Sequence, residues 1–524
     1  MDAPPILVAG TWRPAATVDS YRAFDPMEGR PLDIAWPVSG WTDIDTALDA
    51  AGAAAGELTR LPDEARAAFL DRYAARLEAR TDDLVAAAHA ETGLAAQPRL
   101  ADVELPRMLD QLRQAAAAAR EGTWRMAMID TARNIRSAAF GLGPVVVFPP
   151  GNFPFAYGAL TGGDFAAAIA AGNPVIAKAH PGCPSVSFLA AGEVVEAVRE
   201  AGLPPATVQL VHGLAPADGE RLVADVRVGA TGFTGGQEAG KRLFAAAAAT
   251  GRVIWVEMGS LNPVVLLPGA VAERGATLAE ELTASVTGSA GQFCTKPGLV
   301  FFVDDAAAEA FVAEARARFA AVGGQVLLGP LGRERLMGGI ARLRAAGARV
   351  VAGPDPAAMP PGCRYAATLL EVSAAELRAR PDALLVEAFG NSTLLVRGTS
   401  LDDLAAALAL VPGGLGASLY LATDGRDDGL APAIQRLLEA RTGRLVENRM
   451  PTGLAVTPAL QHGGPWPSAA PPFFSAVGFP WSLLRFARRL CFDAVSPARL
   501  PECLRDEPPP GRPWRFIDHA WTRG

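Results

Sequence analysis

Lysine is almost absent from this sequence. Of 48 basic residues only Lys178, Lys241 and Lys296 are lysines. A drift of surface lysines to arginine leaves these three as candidates for positions where a compact ammonium matters. Cysteine is sparse too. Cys183, Cys294, Cys363, Cys491 and Cys503 are an odd set whose spacing suggests neither a disulfide frame nor a zinc site. No metal is therefore expected, and the chain reads as a protein of a reducing cytoplasm. There is no basic run and no basic patch interleaved with aromatics, and the formal net charge is −7. Nucleic acid and anionic membrane surfaces are poor candidate partners on that balance. The opening "MDAPPILVAGTWRP" lacks the basic and apolar regions of a secretory leader. Charges, Gly or Pro cut the apolar segments before they reach spanning length. No internal repeat is visible, and the G-x-G-x-x-G fingerprint is missing.

What is present is a folded composition. Half of the 524 residues are hydrophobic and 20% are charged, and the length predicts two or three domains. The N-terminal part, as in "PDEARAAFLDRYAARLEARTDDLVAAAHAETG", places apolar residues at helical spacing, with Ala runs as filler. From "GPVVVFPP" onward, short β-branched runs alternate with helical stretches: "NPVIAKAH", "TVQLVHG", "RVGATGFTGG" and "VIWVEMG". A second alternation starts at "NPVVLLPG". This pattern predicts an α/β fold with parallel sheets, which bind ligands beyond the carboxyl ends of their strands. "HGGPWPSAAPPFFSAVGFPWS" reads as ordered loop and "RLCFDAVS" as a terminal strand before a short tail.

Four stretches at predicted strand ends or turns carry chemistry. In "GQFCTKPG", Cys294 sits in a turn between Gly291 and Gly298, with Lys296 two residues on. A lone thiol is either a small buried hydrophobe or a nucleophile, and Lys296 could favour its thiolate. Glu257, ending "VIWVE", is either a capping acceptor or a general base. Asn152, in "PPGNFPFAY", is either a turn former or a donor to a developing oxyanion. The Gly-rich turn "GFTGGQEAGKRLF" offers backbone N–H groups at a helix start, where phosphate binds. Lys178 ends a further strand, as a solvated charge or a cofactor contact. Together these suit thiol chemistry beside a nucleotide cofactor.

The set "GNFPF", "NPVIAKAHP", "GFTGG", "EMGSLNP", "GQFCTKPG" and "EAFG" resembles the aldehyde dehydrogenase superfamily, in order and spacing, over nearly the whole chain. The wording of "ASVTGSAGQFCTKPGLV" and "HGGPWP" is most similar to the 2-oxoglutarate semialdehyde dehydrogenases and related NADP-using fatty aldehyde dehydrogenases. The resemblance implies a Rossmann-like cofactor domain (residues 1–122 and 142–259), an α/β catalytic domain (260–478) and a small β oligomerisation arm with a C-terminal tail (123–141 and 479–524). It implies attack of Cys294 on an aldehyde, an oxyanion held by Asn152 and the Cys294 N–H, and hydrolysis of a thioester by water that Glu257 activates. It also implies that Glu387 and Phe389 border the nicotinamide, Lys178 the adenosine ribose, and Thr234 and Gly235 the pyrophosphate.

Departures from the pattern refine these expectations. Pro181 stands where NAD-preferring relatives have a ribose-binding glutamate, so NADP is expected, with NAD possible; Lys178 and His180 are candidate partners for its phosphate. Gly236 replaces a hydroxyl-bearing residue but keeps its N–H. Asn391 replaces a proline and is expected to loosen its loop. Phe473 and Phe474 replace a polar segment, and with Phe155 and Trp466 they are candidate walls of an apolar substrate pocket. The substrate expected is 2-oxoglutarate semialdehyde or a related aldehyde, with a medium- or long-chain aliphatic or an aromatic aldehyde as the alternative. A non-catalytic nucleotide-binding scaffold and an acylating enzyme that passes the thioester to coenzyme A are the other classes. A homodimer or homotetramer is expected, because an unpaired "RLCFDAVS" edge would invite aggregation.

Overall fold

A computed structural model describes residues 3–353 and 362–523. Five β-branched runs form its first parallel sheet. In spatial order they are Val208–Val211, Val175–Lys178, Val145–Phe148, Ala230–Thr234 and Val253–Glu257. The chain starts in the middle at Val145–Phe148, winds outward to Val208–Val211, then crosses back to Ala230–Thr234. The direction of winding therefore reverses between Val145–Phe148 and Ala230–Thr234, and ligands of such sheets bind in the crevice beyond the strand ends at that point. Antiparallel Ile6–Val8 and Thr11–Arg13 extend one edge. At the other edge Ala469–Ala470 pairs with Val256 and Glu257, so a late loop reaches back to the first sheet.

A second sheet runs Arg349–Ala352, Thr368–Ser373, Ser392–Gly398, Leu299–Val303, Pro263–Leu266, Ala417–Tyr420 and Leu445–Glu447, with only Arg349–Ala352 antiparallel. The α/β architecture expected from the alternating pattern is present. The alanines read as helix filler have a packing role: in helix Gly163–Ala170, residues Ala166, Ala167, Ala168 and Ala170 are fully buried. A methyl group is what lets that helix lie close against its neighbours in a densely packed interior.

A third sheet joins distant stretches. Its order is Ala487–Asp493, Ile135–Gly141, Met128–Asp130, Arg515–Ile517 and Ala520–Thr522. "RLCFD" is a strand as expected, but it is not terminal: the tail adds two more strands on the far side of Met128–Asp130. Ala487–Asp493 is left at the edge of the sheet. Arg485, just before it, pairs with the buried Asp164 at 2.6 Å, which ties the C-terminal segment to the helix beside the first sheet.

Candidate active site

Helix Pro268–Thr287 delivers the chain to the Cys294 turn. Ser289, Ala290 and Gly291 all have positive φ. At Gly291 a Cβ would lie 2.3 Å from the Gly390 carbonyl oxygen, so glycine is what allows this turn to seat against the loop that carries Glu387. Buried Asn262, itself in the left-handed region at φ 43, donates its amide to the carbonyls of Cys294 (2.8 Å) and Lys296 (2.9 Å). The carbonyl side of the turn is thereby fixed. The Cys294 N–H has no protein acceptor among the described residues.

Lys296 does not turn to the thiol. Its buried Nζ donates to the Ser392 carbonyl at 2.5 Å and the Ala388 carbonyl at 3.5 Å. Burial lowers its pKa to about 8, against the pull of the Glu387 charge.

His462 is not among the candidate residues read from the sequence. Its imidazole is 2% exposed, and one nitrogen, Nε2, lies 3.3 Å from Cys294 Sγ and 2.8 Å from Glu257 Oε1. The single Nε2–H can point at only one of them. Glu257 Oε1 has an ion contact here without an aligned hydrogen bond. Burial opposes the charged imidazole, yet the Glu257 and Cys294 charges and contacts outweigh it and raise the pKa to about 10. Both contacts favour the charged imidazole, which is placed to act as a counter-charge for the Cys294 sulfur on one side and the Glu257 carboxylate on the other. The three donor atoms lie within 4.8 Å of one another although the residues come from three separate stretches. The available signal was a histidine in a Gly/Pro-rich loop, one of only five in the chain.

Asn152 lies on the same side. Its Nδ2 donates to the Gln292 carbonyl at 2.8 Å, which uses one of two N–H groups and leaves the second. The turn that carries Asn152 is propped by buried Glu104, which accepts from the N–H groups of Phe155 (2.8 Å) and Ala156 (3.0 Å) and pairs with Arg99. Behind Glu257 and His462 is a cavity of about 20 Å³, room for one water.

The candidate cofactor residues lie at the strand ends. Lys178 closes its strand, and burial lowers its pKa to about 8. Its ammonium has no hydrogen-bond or ion-pair partner among the described residues. Burial and the Lys178 charge push the His180 pKa down to about 3, which disfavours a charged contact to phosphate, and its Nδ1 accepts from the Gly182 N–H at 3.0 Å. Pro181 is exposed. Thr234 ends strand Ala230–Thr234, and the Gly235 N–H is occupied by the Glu257 carbonyl at 3.0 Å. Gly236 precedes helix Gln237–Ala249, whose start has no side-chain cap. Glu387 Oε1 accepts from the Ser260 N–H at 3.1 Å; burial raises its pKa to about 7, with Lys296 opposing. Phe389 is half-buried in the same loop. An unpartnered ammonium, an uncapped helix start and a carboxylate around one crevice fit a dinucleotide cofactor.

Three expectations need correction. Phe155 is not a pocket wall: it is fully buried in the helical core beside the first sheet. Phe474 packs on Trp255 with ring centres 6.4 Å apart and backs Glu257, while Phe473 is 73% exposed. Trp466, half exposed, stacks near Phe244 and Lys241. The aromatics around the thiol are instead Phe153, Tyr157 and Phe293, linked by ring contacts of 5.5 Å, with Tyr157 6.1 Å from His462. Finally, Asn391 does not loosen its loop. It is buried and donates to Gln325 (3.1 Å) and the Tyr365 carbonyl (2.9 Å), anchoring what a proline would only stiffen.

The sequence profile of the aldehyde dehydrogenase family matches residues 12–464. The alpha-ketoglutaric semialdehyde dehydrogenase 2 of Azospirillum brasilense is 36% identical over 516 residues, 96% of this chain and 97% of its own length. The alpha-ketoglutaric semialdehyde dehydrogenase of Acinetobacter baylyi is 31% identical, covering 95% of each chain. Among solved structures, lactaldehyde dehydrogenase from Escherichia coli superposes with a TM-score of 0.79 at 23% identity, over 94% of this chain and 98% of that one. An aldehyde dehydrogenase from Pseudomonas syringae, solved with NAD+ and octanal, gives 0.79 at 21% identity, over 95% and 98%. At these identities the structures speak for the fold.

Alkylation of Cys294 by iodoacetamide tests the His462 contact. The Glu257 and Cys294 contacts raise the pKa of the imidazole to about 10, which favours a counter-charge beside the sulfur. In His462→Gln, alkylation at about pH 6.5 slows by about ten-fold or more. The difference closes above about pH 9, where a free thiol ionises unaided. Equal rates at low pH would show that the imidazole does not act on the sulfur.

Proposed function

The chain belongs to the aldehyde dehydrogenase family, an oxidoreductase family that uses NAD(P), and we propose that this protein oxidises an aldehyde to a carboxylic acid through a covalent adduct on Cys294. The observation that carries this reading is the contact of one imidazole nitrogen with both the thiol and the carboxylate, at 3.3 and 2.8 Å. In this mechanism Cys294 Sγ, charge-paired with His462, attacks the aldehyde carbon, and the carbonyl oxygen becomes an oxyanion. The free Cys294 N–H and the second Asn152 N–H stabilise it; donors placed in advance around a developing charge lower the barrier most. When bound, NAD(P) supplies the hydride acceptor that turns the adduct into a thioester. Glu257 then takes a proton from water as the water oxygen attacks the thioester carbon. The C–S bond breaks, the acid leaves, and the thiolate returns to its contact with His462.

Residues to hold the cofactor are Lys178 for the adenosine ribose, the N–H groups at Gly236 for the pyrophosphate, and Glu387 with Phe389 for the nicotinamide end. Pro181 brings no carboxylate to meet a 2′-phosphate, which supports NADP as the preferred form. The names of the relatives at 36% and 31% identity support 2-oxoglutarate semialdehyde as substrate. A medium- or long-chain aliphatic or an aromatic aldehyde is the alternative, and the aromatics beside the thiol that would support it are Phe153, Tyr157 and Phe293 rather than Phe155, Phe473 and Phe474.

The reading extends to a homo-oligomer. The outer edge of Ala487–Asp493 presents unpaired backbone groups, a template for a second chain. Light scattering after size-exclusion chromatography is expected to give a dimer or tetramer, and a monomer at all concentrations rejects it. Reduced-cofactor formation with 2-oxoglutarate semialdehyde tests the reaction. Turnover is expected with NADP and, more weakly, with NAD, and Cys294→Ala is expected to abolish it. Glu257→Gln is expected to keep a first-turnover burst while steady-state turnover falls by about a hundred-fold or more. No turnover with either cofactor sinks the reading. Pro181→Glu is expected to lower the NADP-to-NAD ratio of kcat/KM by about ten-fold or more, through like-charge repulsion; an unchanged ratio removes Pro181 from cofactor choice.

A further inference from the structure

Lys296 stands two residues after the nucleophile, and its buried side chain leaves the thiol for another loop. Its Nζ donates to the carbonyls of Ala388 (3.5 Å) and Ser392 (2.5 Å), which lie just beyond Glu387. An ammonium has three donors, so one remains after these two contacts. The lysine is fixed at its own end as well. Its carbonyl accepts from Asn262 at 2.9 Å, and its backbone N–H donates to the Phe293 carbonyl at 3.1 Å. Ser392 Oγ donates to the Ala388 carbonyl at 3.1 Å, so the acceptors are tied to one another. The Glu387 carboxylate lies against Gly259, where a Cβ would come within 1.8 Å of Oε2. Oε1 accepts from the Ser260 N–H at 3.1 Å, and Oε2 accepts no hydrogen bond among the described residues.

A charge taken out of water needs a counter-charge. Among the described residues, the elements packed on Glu387 offer one. Helix Pro330–Ala345 meets this loop through Leu336, against Gly390, and Gly339, against Ala388, neither of them charged. The segment after strand Val253–Glu257 offers Gly259 and the Ser260 N–H. The nucleophile turn offers Lys296. Its charge is the one that acts on Glu387, and the Glu387 charge is the one that acts on it; the titratable Cys294 and Glu257 of the adjoining segments act on neither. We propose that Lys296 is a positioning residue for the cofactor end of the reaction: it holds the Glu387 loop to the nucleophile turn and keeps the Glu387 carboxylate ionised, ready to accept hydrogen bonds from ribose hydroxyls of the cofactor. The proposal rests on the reading of Glu387 as a residue that holds the nicotinamide end. Hydrogen bonds to an ionised acceptor are about twice as strong as neutral ones, and only the ionised form leaves both oxygens as acceptors. Without the ammonium, burial drives Glu387 toward the neutral acid.

Calorimetric binding of NADP to the full-length protein between about pH 5.5 and 9 tests this without turnover. In the unsubstituted protein affinity is expected to fall on the acid side, as Glu387 takes up a proton. Loss of a nearby positive charge raises the Glu387 pKa, so in Lys296→Met the fall is expected to begin about one pH unit or more higher, with binding near pH 7 weakened by about ten-fold. Lys296→Gln, which offers N–H donors without charge, is expected to show the same shift and decides the matter if Lys296→Met does not fold. Glu387→Gln is expected to abolish the acid-side fall, alone and combined with Lys296→Gln. A purely structural role for the lysine weakens binding equally at every pH. An unshifted midpoint therefore overturns the proposal, as does a fall that persists in Glu387→Gln. Infrared difference spectra between acid and alkaline pH report the ionisation of Glu387 without cofactor, through the protonated-carboxyl band that Glu387→Gln removes. The midpoint of that band is expected to rise in Lys296→Gln, and an unmoved midpoint overturns the proposal. Absence of NADP binding to the unsubstituted protein would count against the cofactor reading, and the infrared midpoint would still decide the role of Lys296.

Discussion

One imidazole nitrogen sits between a sulfur and a carboxylate oxygen in an interior from which water is nearly excluded. Each of these three groups would be costly to bury alone. Together they compensate one another, provided three stretches of chain arrive at the same place. Glu257 comes from the end of the first sheet. Cys294 comes from the turn after helix Pro268–Thr287. His462 comes from the loop whose continuation pairs Ala469 with Glu257. The loop is fixed by backbone contacts: Met258 N–H donates to the Ser468 carbonyl at 2.7 Å, and the His462 N–H donates to Ser475 Oγ at 3.1 Å. The short antiparallel bridge at Ala469–Ala470 thus has a functional consequence, because it sets the position of the imidazole.

The nucleophile turn is held by a different principle. Asn262 takes up its carbonyls, and the close approach of Gly291 to Gly390 sets its distance from the Glu387 loop. Lys296 crosses the same gap and binds the carbonyls of residues 388 and 392. Two loops that carry the candidate chemistry are therefore locked by buried polar contacts as well as by apolar packing. Such contacts have direction, and a shift of either loop would leave a buried donor without its acceptor. This rigidity keeps the Cys294 N–H and the Asn152 amide in place before any substrate arrives.

Charge is distributed with the same economy of means. The Cys294 sulfur and Glu257 share one imidazole as their polar partner. Arg107, with no carboxylate partner among the described residues, lies 5.8 Å from the Phe153 ring centre and 5.5 Å from that of Tyr157. Lys178, without a partner among the described residues, ends a strand of the first sheet.

The alternation of β-branched runs and helices was enough to give the α/β architecture, because strand and helix periods are local properties of the chain. Cys294, Glu257 and Asn152 were visible because strand ends and Gly-rich turns are where open α/β sheets expose chemistry. His462 was not, since a histidine in a Gly/Pro loop carries no periodicity and its partners are 168 and 205 positions away in sequence. Asn262, Glu104 and Arg107 were missed for the same reason: each acts through a long-range contact. Phe155 and Phe473 were misplaced because aromatic character alone does not say which face of a turn is buried. Composition and pattern determined the class of fold and the residue types able to react. Only the packing of the two sheets and the returning loop decided which groups share an acceptor, which cations lack a partner, and so which charges meet at the thiol.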